Sequence, residues 1–343
     1  MSKRGPTHPD HKPDRISRRS LLVRGAGFTG LTAAGSYLAF APESSPLSLR
    51  DDTGLRSEPP EPVFRLPDFR VLPKTGAADV GIGRGGAVRE RMLKALDAVG
   101  GLEHFIQPGD VVLVKPNVAF DRSPNLGATT HPDLMTTLLQ LLLVDARAAE
   151  VRVCDNPIES PADCFAKSGI GRATEEAGGQ VYLPDNNAFE TLETPGATLI
   201  ERWDFFKRPF RSVNKVIGIA PVKDHNLCHA SLGIKNWYGL LGGRRNQFHQ
   251  DIHEIIADLS IMIRPTLNIL DGTNVLMENG PTGGDPSNVK NADVILAGTD
   301  PVAMDAWAYE HLLERRGELE YLRRAELKGS GLRDYRGRTR EIT

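Results

Sequence analysis

The stretch PVKDHNLCHASLGIKNWYG, residues 221–239, carries Lys223, Lys235, His225, His229 and Cys228. Ammonium groups hold carboxylate or phosphate oxygens, and imidazoles move protons near neutral pH. The chain continues through Arg244, Arg245, His249, His253 and Asp258, so four of its nine histidines fall between positions 225 and 253. His249 and His253 are spaced i, i+4, which on a helix puts both on one face with Cβ atoms about 5–6 Å apart. Such a pair can ligate a metal or do acid–base work. It can equally be one capping and one exposed histidine at a helix start. It is not the metalloprotease form, because Gln250 rather than glutamate follows His249. Arg244 and Arg245 are available to an anion, or form a solvated turn.

Polar groups also follow the apolar runs. Lys115, Pro116 and Asn117 follow VVLV, while Cys154, Asp155 and Asn156 follow VRV. Lys223, Asp224 and His225 follow VIGIAPV, Asp271 follows LNIL, and Asp300 follows VILAGT. Between these runs lie segments of helical spacing, such as HPDLMTTLLQLLLVDARA and DIHEIIADLSIMI. The alternation predicts an α/β fold: a largely parallel sheet flanked by helices, with the site at the carboxyl ends of the strands. A lysine directly after a buried strand must find an anion or water. Asp271 and Asp300 read equally well as turn or helix-cap residues. GIGRGG at 81–86 reads as the entry to a helix rather than a phosphate loop, since no strand is evident before it and no G-K-[ST] closes it.

The N-terminus has its own pattern. Arg18 and Arg19 precede a mildly apolar run that ends in Ala39-Phe40-Ala41, a small-x-small cleavage form. The order predicts a twin-arginine signal peptide over 1–41, cleaved after Ala41, with delivery to the periplasm or another extracytoplasmic space by the export machinery. The run is too short to leave a stable membrane span after processing. Export of a folded chain leaves room for a preloaded cofactor. Residues 42–78 read as a Pro/Ser-rich linker with room to pack down near FRLPDFRVL, 79–330 as a single α/β domain, and 331–343 as a frayed basic tail. Residues 1–41 hold 7 of the 42 Lys/Arg and 2 of the 44 Asp/Glu, so the mature chain has 35 basic and 42 acidic groups, a net charge of −7. That balance argues against a nucleic-acid or anionic-membrane binder. Cys154, Cys164 and Cys228 are too few for a disulfide scaffold, and the absence of any C-x-x-C argues against an iron–sulfur cluster within this chain.

Several motifs in one order resemble the domain-of-unknown-function 362 family: VKPN at 114–117, TTHPDL at 129–134, VCDNP at 153–157 and PVKDHNLCHASLGIKNWYGLLGGRR at 221–245. FHQDIHEIIADL at 248–259, ILDG at 269–272, NGPTGG at 279–284 and AGTDPVAMDA at 297–306 complete the set, and the exported branch is the most similar. The resemblance covers roughly residues 79 to 315 and assigns no reaction. It marks motif positions as candidate site residues, among them Lys115, Asn117, His131, Lys235, Asn236, Asp271 and Asp305.

Combining both lines, Lys115, Lys223, His225 and His249 are the expected catalytic residues. Asn117, His131, Lys235, Asn236 and Arg244 are expected to bind substrate. His249, His253, Asp258, Asp155, Asp271 and Asp305 are the set from which a divalent metal would draw ligands. The leading expectation is an exported enzyme acting on a small anionic substrate, with or without metal assistance. A non-catalytic carrier of a metal or small anion, and a redox accessory docking to an iron–sulfur partner, remain as alternatives.

Overall fold

A computed structural model describes residues 63–343 of the chain. The expected signal peptide and the first part of the linker lie outside the described residues. The strands are β1 (Val80–Arg84), β2 (Val111–Lys115), β3 (Glu150–Cys154), β4 (Gln180–Tyr182), β5 (Phe189–Glu193), β6 (Arg202–Phe206), β7 (Lys215–His225), β8 (His229–Ser231), β9 (Leu267–Leu276), β10 (Val289–Gly298) and β11 (Thr339–Ile342). One 9-stranded sheet runs β11-β1-β10-β9-β7-β2-β3-β4, with β8 hairpinned onto β7, and β5 and β6 form a separate two-stranded ribbon. The pairs β9–β7, β7–β2, β2–β3 and β3–β4 are parallel, as is β1–β11, while β10 runs against both its neighbours. The fold is therefore a mixed, mostly parallel sheet flanked by helices, as the alternation of strands and helices predicts.

The alternation of side chains along each strand builds two cores. Val112, Val114, Ile217 and Ile219 point to the layer of helices Val88–Ala98, Pro132–Gln140, Pro161–Lys167 and Ile170–Glu176. Leu113, Val216, Ala220 and Val222 point to the opposite layer, formed by Ile252–Met262, Pro301–His311 and Glu320–Leu327. A strand buried on both faces needs apolar residues at every position, which is why VVLV and VIGIA are continuous runs rather than alternating ones.

Two sequence expectations are corrected. GIGR is not a loop but most of β1, and its glycines serve packing: a Cβ on Gly81 or Gly83 would lie 2.1 Å from the Ala95 carbonyl oxygen or 1.9 Å from that of Arg91. The tail expected to fray supplies β11, paired with β1. Within the linker, Phe64 bridges to Leu192 and Phe69 is buried. No described helix is long and apolar enough to cross a membrane.

Candidate functional site

Three neighbouring parallel strands build the site. Lys115 ends β2, Asp155 directly follows the end of β3, and Lys223 lies near the end of β7. The register of β7 against β9 shifts between Pro221 and Lys223, and from Lys223 onward β7 also pairs with β8. The short helix Gly233–Asn236 then brings Lys235 and Asn236 back over the same edge. Together with Asn117, Phe120, His225, Tyr238, Gly239, Arg245 and His249, these residues line a cleft that opens to solvent and encloses about 70 Å³.

The polar groups form one continuous chain of hydrogen bonds. Asp155 accepts from the Val118 and Asn156 amides, at 2.6 and 3.0 Å, and pairs with Lys115 Nζ at 2.7 Å. Lys115 Nζ also donates to Asn236 Oδ1 at 2.9 Å and to the Pro116 carbonyl at 2.7 Å. Asn117 Nδ2 donates to the same Asn236 oxygen at 3.2 Å, and Asn117 Oδ1 accepts from Lys223 Nζ at 3.1 Å. Asn236 Nδ2 is directed to the Lys115 and Ile219 carbonyls. The lysines that follow apolar strands are thus tied by two amides and one carboxylate.

Charge in the cleft is unbalanced. Asp155 is the one carboxylate lining it, opposite Lys115, Lys223, Lys235 and Arg245. Arg245 is held by carbonyls, donating to Tyr238, Leu241, Asn156 and Pro157. Lys235, half-buried, has no hydrogen-bond or ion-pair partner among the described residues, and its ammonium stands 5.4 Å from the centre of the Tyr238 ring. Burial pulls the pKa of Lys115 below that of an ordinary lysine, against the pull of Asp155 beside it. Burial and the Lys235 charge push Lys223 well below. Burial likewise depresses Lys235.

The two cleft histidines are held as opposite tautomers. His225 Nδ1 accepts from the Leu227 amide at 3.2 Å, so its proton sits on Nε2. His249 Nδ1 faces the Asn246 carbonyl at 2.9 Å and must donate to it, so in the neutral ring the lone pair is on Nε2. One ring offers a hydrogen bond and the other accepts a proton.

The remaining expected site residues are placed elsewhere. The segment Arg245–Asp251 is a 3-10 turn, and the helix bearing His253 begins only at Ile252. His249 and His253 therefore do not share a helical face as expected; His253 does not line the cleft, and its Nδ1 is buried without a hydrogen-bond partner. Asp258, expected as a metal ligand, instead accepts from the Thr198, Leu199 and Ile200 amides and pairs with Lys328 at 2.9 Å. Asp271 accepts from the amides of His131 and Thr273, and His131 caps the helix Pro132–Gln140 rather than reaching the cleft. Asp305 accepts from the Gly233 and Ile234 amides, so it anchors the helix that carries Lys235 and Asn236. Burial raises its carboxyl pKa to about 7.

Of the six expected metal ligands, only His249 and Asp155 line the cleft, and the described residues hold no group of three or more His, Cys, Asp or Glu suited to a metal ion. Arg244 is exposed; its neighbour Arg245 occupies the site instead. Because β10 runs antiparallel, Asp300 is at the opposite sheet edge, where it caps the helix Pro301–His311 and binds Arg338.

Gly239, Tyr238 and Phe120 line the cleft unforeseen by sequence. A Cβ on Gly239 would stand 1.9 Å from Asp155 Oδ1 and 2.7 Å from Lys115 Nζ. Both atoms are pinned by the hydrogen bonds above, so neither can yield. Gly239→Ala is expected to destabilise the fold by about 1–3 kcal/mol, the usual cost of overpacking. Denaturant melts of the two proteins measure it, and a change under 0.5 kcal/mol would show that the pair has room to shift.

The model of the family described as Domain of unknown function (DUF362) matches residues 112–310, which include every lining residue of the cleft. A thylakoid-associated protein of Synechocystis sp. is 26% identical over 235 residues, covering 64% of this chain and 68% of its own length. Among solved structures, the lactate racemase apoprotein from Thermoanaerobacterium thermosaccharolyticum is 15% identical at a TM-score of 0.36, covering 78% of this chain and 58% of its own. A protein from Thermotoga maritima is 14% identical at a TM-score of 0.33, covering 71% and 58%. The chain thus spans less than two thirds of the length of these structural neighbours, and neither likeness bears on its chemistry. The family match takes in more than half of the sequence and the whole cleft: the chain belongs to the DUF362 family.

Proposed function

We propose that this chain is an enzyme acting on a small carboxylate or phosphate, bound in the cleft by Lys235 and exchanging a proton with His249. The carrying observation is the charge imbalance: the half-buried Lys235 ammonium has no anionic partner, and one carboxylate faces three lysines and an arginine. An anion of matching size restores the balance in a site that partly excludes water, where such pairing is strongest. His249 Nε2 supplies the base, and the neutral His225 Nε2–H supplies a hydrogen bond to a developing oxyanion. Asn117 and Asn236 keep the lysines in place. The proposal retains export by the twin-arginine signal, with the reaction taking place outside the cytoplasm.

Inorganic phosphate and a series of small carboxylates should raise the melting temperature saturably. Lys235→Met should weaken the apparent affinity by roughly tenfold, the effect of one lost charge-assisted contact of about 1.4 kcal/mol. His249→Gln should leave that affinity within about twofold while abolishing turnover of the substrate that a screen identifies. Failure of every small anion to stabilise the protein would overturn the proposal. Reversible binding with every candidate returned unchanged would make the chain a carrier instead.

A further inference from the structure

The two most deeply buried lysines differ in the number of acceptors around their nitrogens. Lys115 Nζ has three: Asp155 Oδ1 at 2.7 Å, Pro116 O at 2.7 Å and Asn236 Oδ1 at 2.9 Å. An ammonium has three N–H bonds, so its valence is filled. Lys223 Nζ has two acceptors, the Ala128 carbonyl at 2.6 Å and Asn117 Oδ1 at 3.1 Å, and no carboxylate among the described residues. A neutral amine has two N–H bonds and one lone pair. Two acceptors use both hydrogens and leave the lone pair with no protein donor, on a residue that lines the cleft.

The acceptor on Asn117 is not an arbitrary choice of amide orientation. Asn236 must direct its Nδ2 to the carbonyls of Lys115 and Ile219, which makes its oxygen the acceptor for Asn117 Nδ2. Asn117 is then obliged to present its oxygen to Lys223. The carbonyl of Ala128 admits no other reading. Burial and the cations Lys235 and Lys115 disfavour a proton on Lys223, against the pull of Asp155.

On the anion-site reading above, we infer that the Lys223 amine is a covalent nucleophile, condensing with the carbonyl carbon of a small oxo acid whose carboxylate or phosphate is held by Lys235. The nitrogen lone pair forms the C–N bond while the carbonyl π pair moves to oxygen. One proton passes from nitrogen to that oxygen, giving a carbinolamine, and the free Nε2 of His249 is of the kind that relays it. The hydroxyl then leaves as water with the second nitrogen proton, and C=N forms. Nothing is oxidised or reduced, and no co-reactant is required. A desolvated lysine beside a second cation is the arrangement that keeps an amine nucleophilic at neutral pH.

The test uses the full chain at pH 7 with pyruvate or glyoxylate and cyanoborohydride, which reduces an imine to a stable secondary amine. Peptide mapping should place the adduct on Lys223 with at least tenfold preference over any other lysine. An exposed lysine is neutral in roughly one molecule in 2,500 at this pH and reacts correspondingly slowly. The mapping is done on the unaltered chain, so it does not depend on whether Lys223→Met folds. Thermal stabilisation by phosphate and by lactate, which has no ketone or aldehyde carbonyl, is measured in parallel. Stabilisation without an adduct on Lys223 overturns the nucleophile and leaves the anion site standing. Neither stabilisation nor adduct overturns both. Labelling spread evenly over the lysines also overturns the nucleophile.

Discussion

Asp155→Asn is expected to destabilise the fold by about 3–5 kcal/mol, a large share of the 5–15 kcal/mol typical of a folded domain. The carboxylate is buried 2.7 Å from an ammonium that is itself 0% exposed, so the substitution strands a charge where water cannot reach it. The remaining acceptors of Lys115, a carbonyl and an amide oxygen, are dipoles and cannot replace a counter-ion. The stranded amine has one escape, which is to lose its proton. Removing Asp155 deletes the influence that opposed burial, so the folded pKa of Lys115 falls further below its unfolded value. A depressed folded pKa means that the unfolded chain holds the extra proton between the two values, and stability rises with pH across that window. The destabilisation should therefore be largest near pH 7 and smaller at pH 10. Denaturant melts at both pH values check the magnitude and the trend.

A companion variant separates charge from packing. Lys115→Met together with Asp155→Asn removes both ions, so it should cost less than Asp155→Asn alone at pH 7. Equal costs at pH 7 and pH 10, with the double variant no better, would mean that Asp155 acts through its bonds to the Val118 and Asn156 amides rather than through its charge.

The fold was legible in the sequence wherever burial is two-sided. β2 and β7 carry the continuous apolar runs VVLV and VIGIA, and with β3 and β9 they form the parallel centre of the sheet. β1 was hidden because Gly81 and Gly83 contribute no side chain to a hydrophobic pattern; they are there to let a helix approach. β11, reading TREI, sits at the sheet edge, where only half its residues need be apolar. In the site, Lys115, Lys223 and Asp155 were legible because each falls at the end of an apolar strand and parallel strands end together. The same logic misplaced Asp300, since the direction of β10 depends on how the loop between Leu276 and Val289 returns, which composition does not specify. The helical phase linking His249 to His253 and Asp258 failed because the chain changes from a 3-10 turn to an α-helix between the two histidines. With about 3.0 residues per turn on one side and 3.6 on the other, i, i+4 no longer means a shared face. Choosing Arg244 over Arg245 was beyond any pattern: neighbours on a turn point in different directions, and only the carbonyls around Tyr238 select between them.

The acid limb of the stability curve should be set in large part by His225. Its ring is buried, and burial together with the Lys235 charge lowers its pKa from 6.5 to about 2. In the unfolded chain the same imidazole protonates near pH 6.5. Between these values the unfolded state binds a proton that the folded state refuses, so stability is full above pH 6.5 and declines as pH falls toward 2. One proton amounts to about 1.4 kcal/mol per pH unit, and the fall from pH 7 to pH 4.5 comes to about 2.5 kcal/mol. Asp305 acts in the opposite sense, because its raised pKa of about 7 makes the folded state the one that takes up a proton first as the solution acidifies. The two slopes partly cancel in the whole protein, so the measurement that isolates His225 is a difference. His225→Gln keeps a side chain able to accept from the Leu227 amide and removes the titration. Measured without added anion, the unfolding free energy of the parent protein minus that of the variant should fall by about 2.5 kcal/mol from pH 7 to pH 4.5. Parallel curves would mean that the imidazole titrates in the folded state as it does in the unfolded chain, and that burial does not hold it neutral as the solution acidifies.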